Sequence, residues 1–303
     1  MSSLLLPPII QTLRGRLLEE ESLSHYTSWR TGGVADYVYL PSDLQDLSNF
    51  LRHLPEKIPL FWLGLGSNTL IRDGGVEGVV IVTQSGLKQL TQINSNEIRA
   101  EAGVASAQLA RYSARLGCAG LEFMAGIPGT IGGALAMNAG CFGGETWNVV
   151  HAVEMIDRGG NMTKRSKAEF EIAYRHVKWT SKEWFVAGYF SVMPGEKEKS
   201  LNEIRELLER RHQTQPTGTA NCGSVFRNPS GDYAGRLIEA CGLKGKKCGG
   251  AQVSEKHANF ILNEQQATSA DIEELILDVG AVVAEKTGVR LIPEVCIVGR
   301  QKR

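Results

Sequence analysis

GIPGTIGGALAMNAG, residues 126–140, sets five glycines and a proline among apolar residues. Glycine weakens helices and strands, so a run of this kind marks backbone that must come close to something else. The stretch alone leaves two readings open: a tight turn between buried elements, or a surface where side-chain bulk would exclude a ligand. A second glycine-rich stretch, LGLGSNTLIRDGG (63–75), follows the apolar run PLFWL. The end of a strand is where α/β sheets bind ligands. It is not a dinucleotide fingerprint, because Thr69 stands where GxGxxG needs its third glycine, and no GK[ST] follows either loop. Gly66, Ser67 and Asn68 still offer adjacent backbone N–H donors with short polar side chains, a nest suited to pyrophosphate. Residue chemistry leads from there to a phosphate-bearing ligand and no further.

The surrounding chain predicts a mixed α/β, α+β protein. ADYVYL (35–40), PLFWLG (59–64) and GVVIVT (78–83) read as strands, with SDLQDLSNFLRHL (42–54) a helix between the first two. ASAQLARYSARLG (105–117) reads as an amphipathic helix closed by Gly117. VVHAVEMID (149–157) and WFVAGYFSV (184–192) are strand-like. The texture changes near residue 198, where SLNEIRELLERR (200–211) opens with a capping box of Ser200 and Glu203. A second long helix is expected over 269–286, with Ile272, Leu275, Ile276, Val279, Val282 and Val283 forming a core-facing stripe. VRLIPEVCIVG (289–299) reads as a strand, its Pro293 favouring an edge or irregular position.

The 303 residues suffice for two or more cores, and 42% apolar with 22% charged content is that of a globular chain. Lysine plus arginine and aspartate plus glutamate are 33 each, so no global basic field exists to hold a nucleic-acid backbone. The six cysteines show no paired CxxC spacing and the six histidines no HExxH, which argues against a metal site and for free thiols in a reducing compartment. LLLPPII (4–10) is too short for a signal core, and no run reaches the length of a membrane span. The expectation is a cytoplasmic protein.

Six motifs in order make the chain resemble the UDP-N-acetylenolpyruvoylglucosamine reductase family: SWRTGG (28–33), LGLGSNTLI (63–71), EFMAGIPGTIGGALAMNAG (122–140), Tyr174-Arg175, GSVFRNP (223–229) and IPEV (292–295). The resemblance runs from about residue 20 to 299. It implies an FAD-binding fold of the vanillyl-alcohol oxidase type in two subdomains, 1–84 and 85–198, with a C-terminal strand in 289–303 returning to the second. An α+β substrate-binding domain would occupy 199–288. It also implies that both glycine loops lie against FAD, through Arg30, Gly64, Gly66, Ser67, Asn68, Gly126, Ile127, Pro128, Gly129, Thr130, Gly132 and Gly133. The run from YRHVKW directly to WFVAGYFSV leaves no room for an inserted tyrosine loop, so the compact branch is implied. Two departures stand out: Val177 where many members have serine, and Cys141-Phe142 where a tyrosine-containing turn is common.

The implied reaction takes hydride from NADPH through FAD to the methylene carbon of UDP-N-acetylglucosamine enolpyruvate, giving UDP-N-acetylmuramate. Arg175 would hold the substrate carboxylate, as a guanidinium stays charged and grips it in bidentate fashion. Ser224 would give the proton to the second carbon. Glu294 would lie beside the substrate carboxylate and titrate high. Tyr174, Arg211 and Asn228 are the expected substrate contacts, with Arg211 open to a second reading as the solvated end of its helix. His257 and Asn259 read as structural, while Trp29 could flank the flavin or simply pack. A monomer is expected. The alternatives are an FAD-dependent oxidoreductase of the same fold on a different substrate, and a catalytically silent nucleotide-sugar binding protein. The intact set Arg175, Ser224 and Glu294 argues against the second of these.

Overall fold

The helix expected over 42–54 forms as α1, Leu44–His53, in a computed structural model that describes residues 13–179 and 182–302. The LLLPPII stretch lies outside the described residues. Asp43 caps α1 by accepting from the Asp46 amide at 2.8 Å, and Leu47, Phe50 and Leu51 turn inward. The Asp46 carboxylate is itself buried. It accepts from the Tyr39 hydroxyl at 2.5 Å and from the amides of Ser42, Arg14 and Gly15 at 2.9–3.0 Å.

The chain divides into two compact units. The first comprises the described part of Met1–Glu19 with Tyr37–Gly64 and Gly78–Glu209. Its main sheet is antiparallel and five-stranded, in the order Met162–Ser166, Val150–Asp157, Glu183–Ser191, Glu97–Glu101, Leu90–Asn94. Also in this unit, Leu60–Leu63 runs parallel to residues 79–82 in the register Leu60↔Val79 to Leu63↔Val82.

Helix α2, Ser106–Arg115, ends ahead of Gly117, whose φ of 72° stops the chain as the sequence predicts. Helix α3, Ile131–Met137, ends at Asn138 in the left-handed region (φ 46°), and the single turn α4 spans Thr146–Val149. Leu109, Met124, Ile131, Leu135, Trp147, Phe185 and Phe190 share one core. Each such side chain is worth about 1.5–3 kcal/mol when withdrawn from water. A second cluster gathers Tyr39, Leu47, Phe50, Ile81 and Val186.

Helix α5, Lys197–Thr214, begins earlier than expected, and this corrects the capping box. Ser200 lies inside the helix, and its hydroxyl donates to buried Glu122 at 2.6 Å. A tertiary partner takes the group that local pattern would assign to a cap. The unit division falls within this helix, between Glu209 and Arg210, rather than near residue 198.

The second unit holds Glu20–Asp36, Leu65–Glu77 and Arg210–Arg303. Helix α6, Ala234–Ala240, and helix α7, Ser269–Thr287, enclose one core with the short strands Ala251–Val253 and Ile261–Asn263. The α7 stripe is buried as expected at Ile272, Leu275, Ile276, Val279 and Val283. A capping box of Thr268 and Asp271 starts α7, and Gly288 (φ 72°) ends it. The final segment is mostly irregular. Only Cys296–Val298 is a strand, paired parallel to Thr69–Ile71. The expected return of 289–303 to residues 85–198 is therefore corrected, because the strand that accepts it belongs to the segment carrying Gly66 and Asn68.

Candidate functional site

In the first unit the glycine stretch docks on residues 102–106. The amides of Ile131 and Gly132 donate to the carbonyls of Val104 and Ala102 at 2.8 and 2.9 Å, and Ser106 donates its amide to Gly129. A Cβ on Gly132 would stand 3.0 Å from that of Ala102, and one on Gly64 would stand 2.3 Å from Thr130 Oγ1. At Gly126 the neighbours would be the Phe142 ring, at 2.4 Å, and Cys141 Sγ. At Gly64 and Gly126 a side chain would clash with the protein itself, while at Gly132 the Ala102 methyl would have to give by a few tenths of an ångström. Gly133 differs: it is exposed, and a Cβ there would meet nothing within 4 Å. Ile127 and Thr130 are buried, while Pro128 is exposed. Thr130 Oγ1 and Ser106 Oγ are buried with no hydrogen-bond partner among the described residues.

Tyr174-Arg175 forms the two-residue tip of a hairpin between Glu171–Ala173 and His176–Lys178. Arg175 takes a positive φ of 53°, and its guanidinium donates to the carbonyl of Gly140 at 2.9 Å and lies 4.9 Å from the centre of the Tyr174 ring. Val177, the departure from the family pattern, is 5% exposed and fills the core under the hairpin.

In the second unit the Gly66 carbonyl accepts from the Ser28 amide and the Cys222 thiol. A Cβ on Gly66 (φ 59°) would stand 2.3 Å from the Tyr26 carbonyl oxygen, so this turn also needs glycine for packing. Ser67 is half-buried beside it. Asn68 Nδ2 donates to the Glu294 carbonyl at 3.0 Å, and the Cys296 amide donates to the Asn68 carbonyl at 2.9 Å. Phe226 forms an isolated antiparallel bridge with Pro293. Val225 accepts from the Glu294 amide at 2.7 Å, and Arg227 donates its amide to Ile292. The other side of this segment is held by Asn259, whose side chain accepts from the Phe226 amide and donates to its carbonyl. The structure thus brings Ser224 and Glu294 to neighbouring segments of one unit.

Other expected residues fare differently. Trp29 is a packing residue, fully buried with its indole N–H donating to the Ile261 carbonyl at 2.8 Å. Arg30 is exposed and lines a cleft of about 400 Å³ with Asp73, Asn263 and Gln266. Asn228 Oδ1 accepts from the Ala234 amide at the start of α6, and Arg211 donates through Nε to Gln215 at 3.1 Å. Burial holds the His257 imidazole below the ordinary range, and its Nδ1 accepts from the Asn259 amide. Sequence reasoning passed over Cys222, whose thiol burial pushes up to about 12 and which braces the Gly66 turn one residue before Gly223-Ser224. It also passed over Arg227, whose Nε is buried without a partner among the described residues, and Asn138. The signal for Asn138 was present, since asparagine after a short helix is a left-handed cap.

Comparison with known proteins is consistent along the chain. A family model described as "UDP-N-acetylenolpyruvoylglucosamine reductase, C-terminal domain" matches residues 215–298, and one described as "FAD binding domain" matches 35–166. The UDP-N-acetylenolpyruvoylglucosamine reductase of Legionella pneumophila (strain Corby) is 56% identical over 287 residues, covering 94% of this chain and 93% of that protein. The reductase of the same name from Alkalilimnicola ehrlichii is 55% identical, covering 94% and 95%. Among solved structures, UDP-N-acetylenolpyruvylglucosamine reductase from Thermus caldophilus matches with a TM-score of 0.78 at 31% identity, over 94% of this chain and 99% of that one.

Proposed function

Because the chain belongs to the UDP-N-acetylenolpyruvoylglucosamine reductase family, we propose that Arg175, Ser224 and Glu294 carry its chemistry, with NADPH as the reductant. The protein is an FAD-containing oxidoreductase that reduces UDP-N-acetylenolpyruvoylglucosamine in peptidoglycan synthesis. The residues present suit FAD. The Gly133 face is open, with nothing within 4 Å of a Cβ built there, so a flavin can lie against this backbone without meeting a side chain. When bound, FAD supplies the two-electron redox chemistry and the hydride.

The protein's own part is charge and proton control. Hydride addition to the methylene carbon leaves negative charge on the adjacent carbon, delocalised into the carboxylate. Arg175 offsets that charge; removing such a donor costs on the order of 3 kcal/mol in the barrier. Ser224 donates its Oγ proton to the carbanionic carbon and is reprotonated from solvent, while Glu294, beside the substrate carboxylate, shares a proton with the enolate intermediate. Tyr174, Arg211 and Asn228 contact the nucleotide sugar. The observation that carries this reading is the 2.7 Å bond from the Glu294 amide to Val225, which sets the proposed acid and its carboxylate partner on adjoining segments. A nucleotide-sugar substrate and a pyridine-nucleotide reductant are both water-soluble, which supports a cytoplasmic site of action.

The experiment is anaerobic stopped-flow of the two half-reactions on purified protein. A yellow preparation bleached by NADPH and recoloured by the enolpyruvyl nucleotide sugar is the expected result. Recolouring by oxygen alone would overturn the substrate assignment, and a protein unable to take up FAD would overturn the flavin chemistry.

A further inference from the structure

The hairpin that presents Arg175 pairs with no larger sheet among the described residues. A lone two-stranded hairpin is marginal in water, so its tip must be fixed from outside. The side chain best placed to do so is Asn138, which is 1% exposed. Its Nδ2 donates to the Ala173 carbonyl at 3.1 Å, one residue before the tip, and to Glu145 Oε2 at 2.9 Å, while its Oδ1 accepts from the Trp147 amide at 3.1 Å. Its own carbonyl lies 3.4 Å from Arg175 Nη1, and the carbonyl two residues on, at Gly140, takes Nη2. A Cβ at Gly140 would sit 3.1 Å from Nη1 and 2.4 Å from the Gly144 carbonyl oxygen, so the guanidinium reaches this backbone closely. The left-handed backbone of Asn138 (φ 46°, ψ 50°) turns the chain from α3 towards these groups.

We propose that Asn138 is the positioning residue for Arg175: it ties the end of α3 to the hairpin and fixes where the guanidinium lies. The inference rests on the reading of Arg175 as the partner of the substrate carboxylate. Asn138→Gly keeps the left-handed backbone without strain and deletes the tie. Misplacing a reacting group by about 1 Å can cost on the order of 100-fold. Flavin reoxidation by the enolpyruvyl substrate should therefore slow by roughly tenfold to 100-fold in Asn138→Gly. The same substitution in an Arg175→Ala background should change that rate less than about twofold, because additivity fails for residues acting through one another. Hydrogen exchange should quicken at amides 171–178 and stay unchanged in Glu183–Ser191. Equal slowing in both backgrounds, or no slowing beside intact Arg175, overturns the inference. Arg175→Ala that reoxidises at the wild-type rate sinks the underlying reading of the arginine, and this inference with it. Should Asn138→Gly fail to fold, Asn138→Asp combined with Glu145→Gln keeps the acceptor for Trp147 and removes the donor to Ala173. The same cycle then decides.

Discussion

Replacing Gly133 by leucine separates folding from cofactor binding in a way that the neighbouring glycines do not allow. Gly133 lies within α3 and is exposed, and a side chain starting there would find open space for the first 4 Å around its Cβ. Glycine in a helix costs about 0.5–1 kcal/mol relative to a good helix former. Leucine should therefore stabilise the flavin-free protein by about that amount, which raises its melting temperature by roughly 2 °C. If FAD occupies the open face, the side chain enters its space. Wild-type protein in FAD at about 100 times its dissociation constant gains about 2.7 kcal/mol, and the variant should lose that gain. Calorimetry with and without FAD, alongside flavin absorbance per protein, reads both effects. The expected pattern is a higher apo transition, no FAD-induced rise and a colourless preparation. Full flavin content with a wild-type rise would refute the idea that this face receives the cofactor. Gly132→Ala is the contrast: its Cβ would press on Ala102 and offset the gain in helix propensity, so the apo transition should rise less than in Gly133→Leu whether or not flavin binds. Gly129 cannot serve, because its φ of 137° strains any side chain regardless of ligand.

Ser224→Ala should confine its damage to flavin reoxidation by substrate, slowing that step by roughly 100-fold to 10,000-fold in single-turnover traces; an unchanged rate would remove Ser224 as the proton donor. Tyr39→Phe should destabilise the protein by about 1–3 kcal/mol in denaturant unfolding, since it removes one of the bonds that satisfy buried Asp46. Burial alone would raise the Asp46 carboxyl, but the bonds from Tyr39 and the amides of Ser42, Arg14 and Gly15 together hold it below its ordinary value. Its contribution is thus fully present above the unfolded value of about 4 and is lost as pH falls through the lower folded value. The stability gap between wild type and Asp46→Asn should narrow over that acid range, and a constant gap would contradict the assignment. Cys222, buried and with its thiol pushed up to about 12, should resist alkylation at neutral pH until the protein unfolds. Mass mapping that finds it modified in folded protein would show the brace on Gly66 to be open.

What could be read from sequence follows how local each cause is. Helices α1 and α7 announce themselves because a stripe, a cap and a terminator lie within one stretch of chain, from Asp43 to His53 and from Thr268 to Gly288. Ser200 misleads because its hydroxyl answers to Glu122, far away in sequence. The Tyr174-Arg175 hairpin gave no strand signal at all: EIA and HVK are three residues each, half polar, and held by Asn138 and a core valine rather than by pattern. Glycine composition marked a close approach correctly but could not say what approaches. Gly64, Gly126 and Gly132 meet Thr130, Phe142 and Ala102, whereas Gly133 faces outward. The trio of chemical residues was legible through family likeness, not through physics, because serine, glutamate and arginine are individually commonplace. What the structure adds is the physical link for two of them: one amide from Glu294 to Val225, and one side chain from Asn68 to the Glu294 carbonyl. The second of these gives the Gly66-Ser67-Asn68 turn two tasks. Its backbone can face a phosphate while the Asn68 side chain holds the segment that carries the proposed acid–base partner. Shortening Asn68 to alanine should then impair Ser224-dependent reoxidation as well as flavin retention, whereas a turn concerned with phosphate alone would show only the loss of flavin.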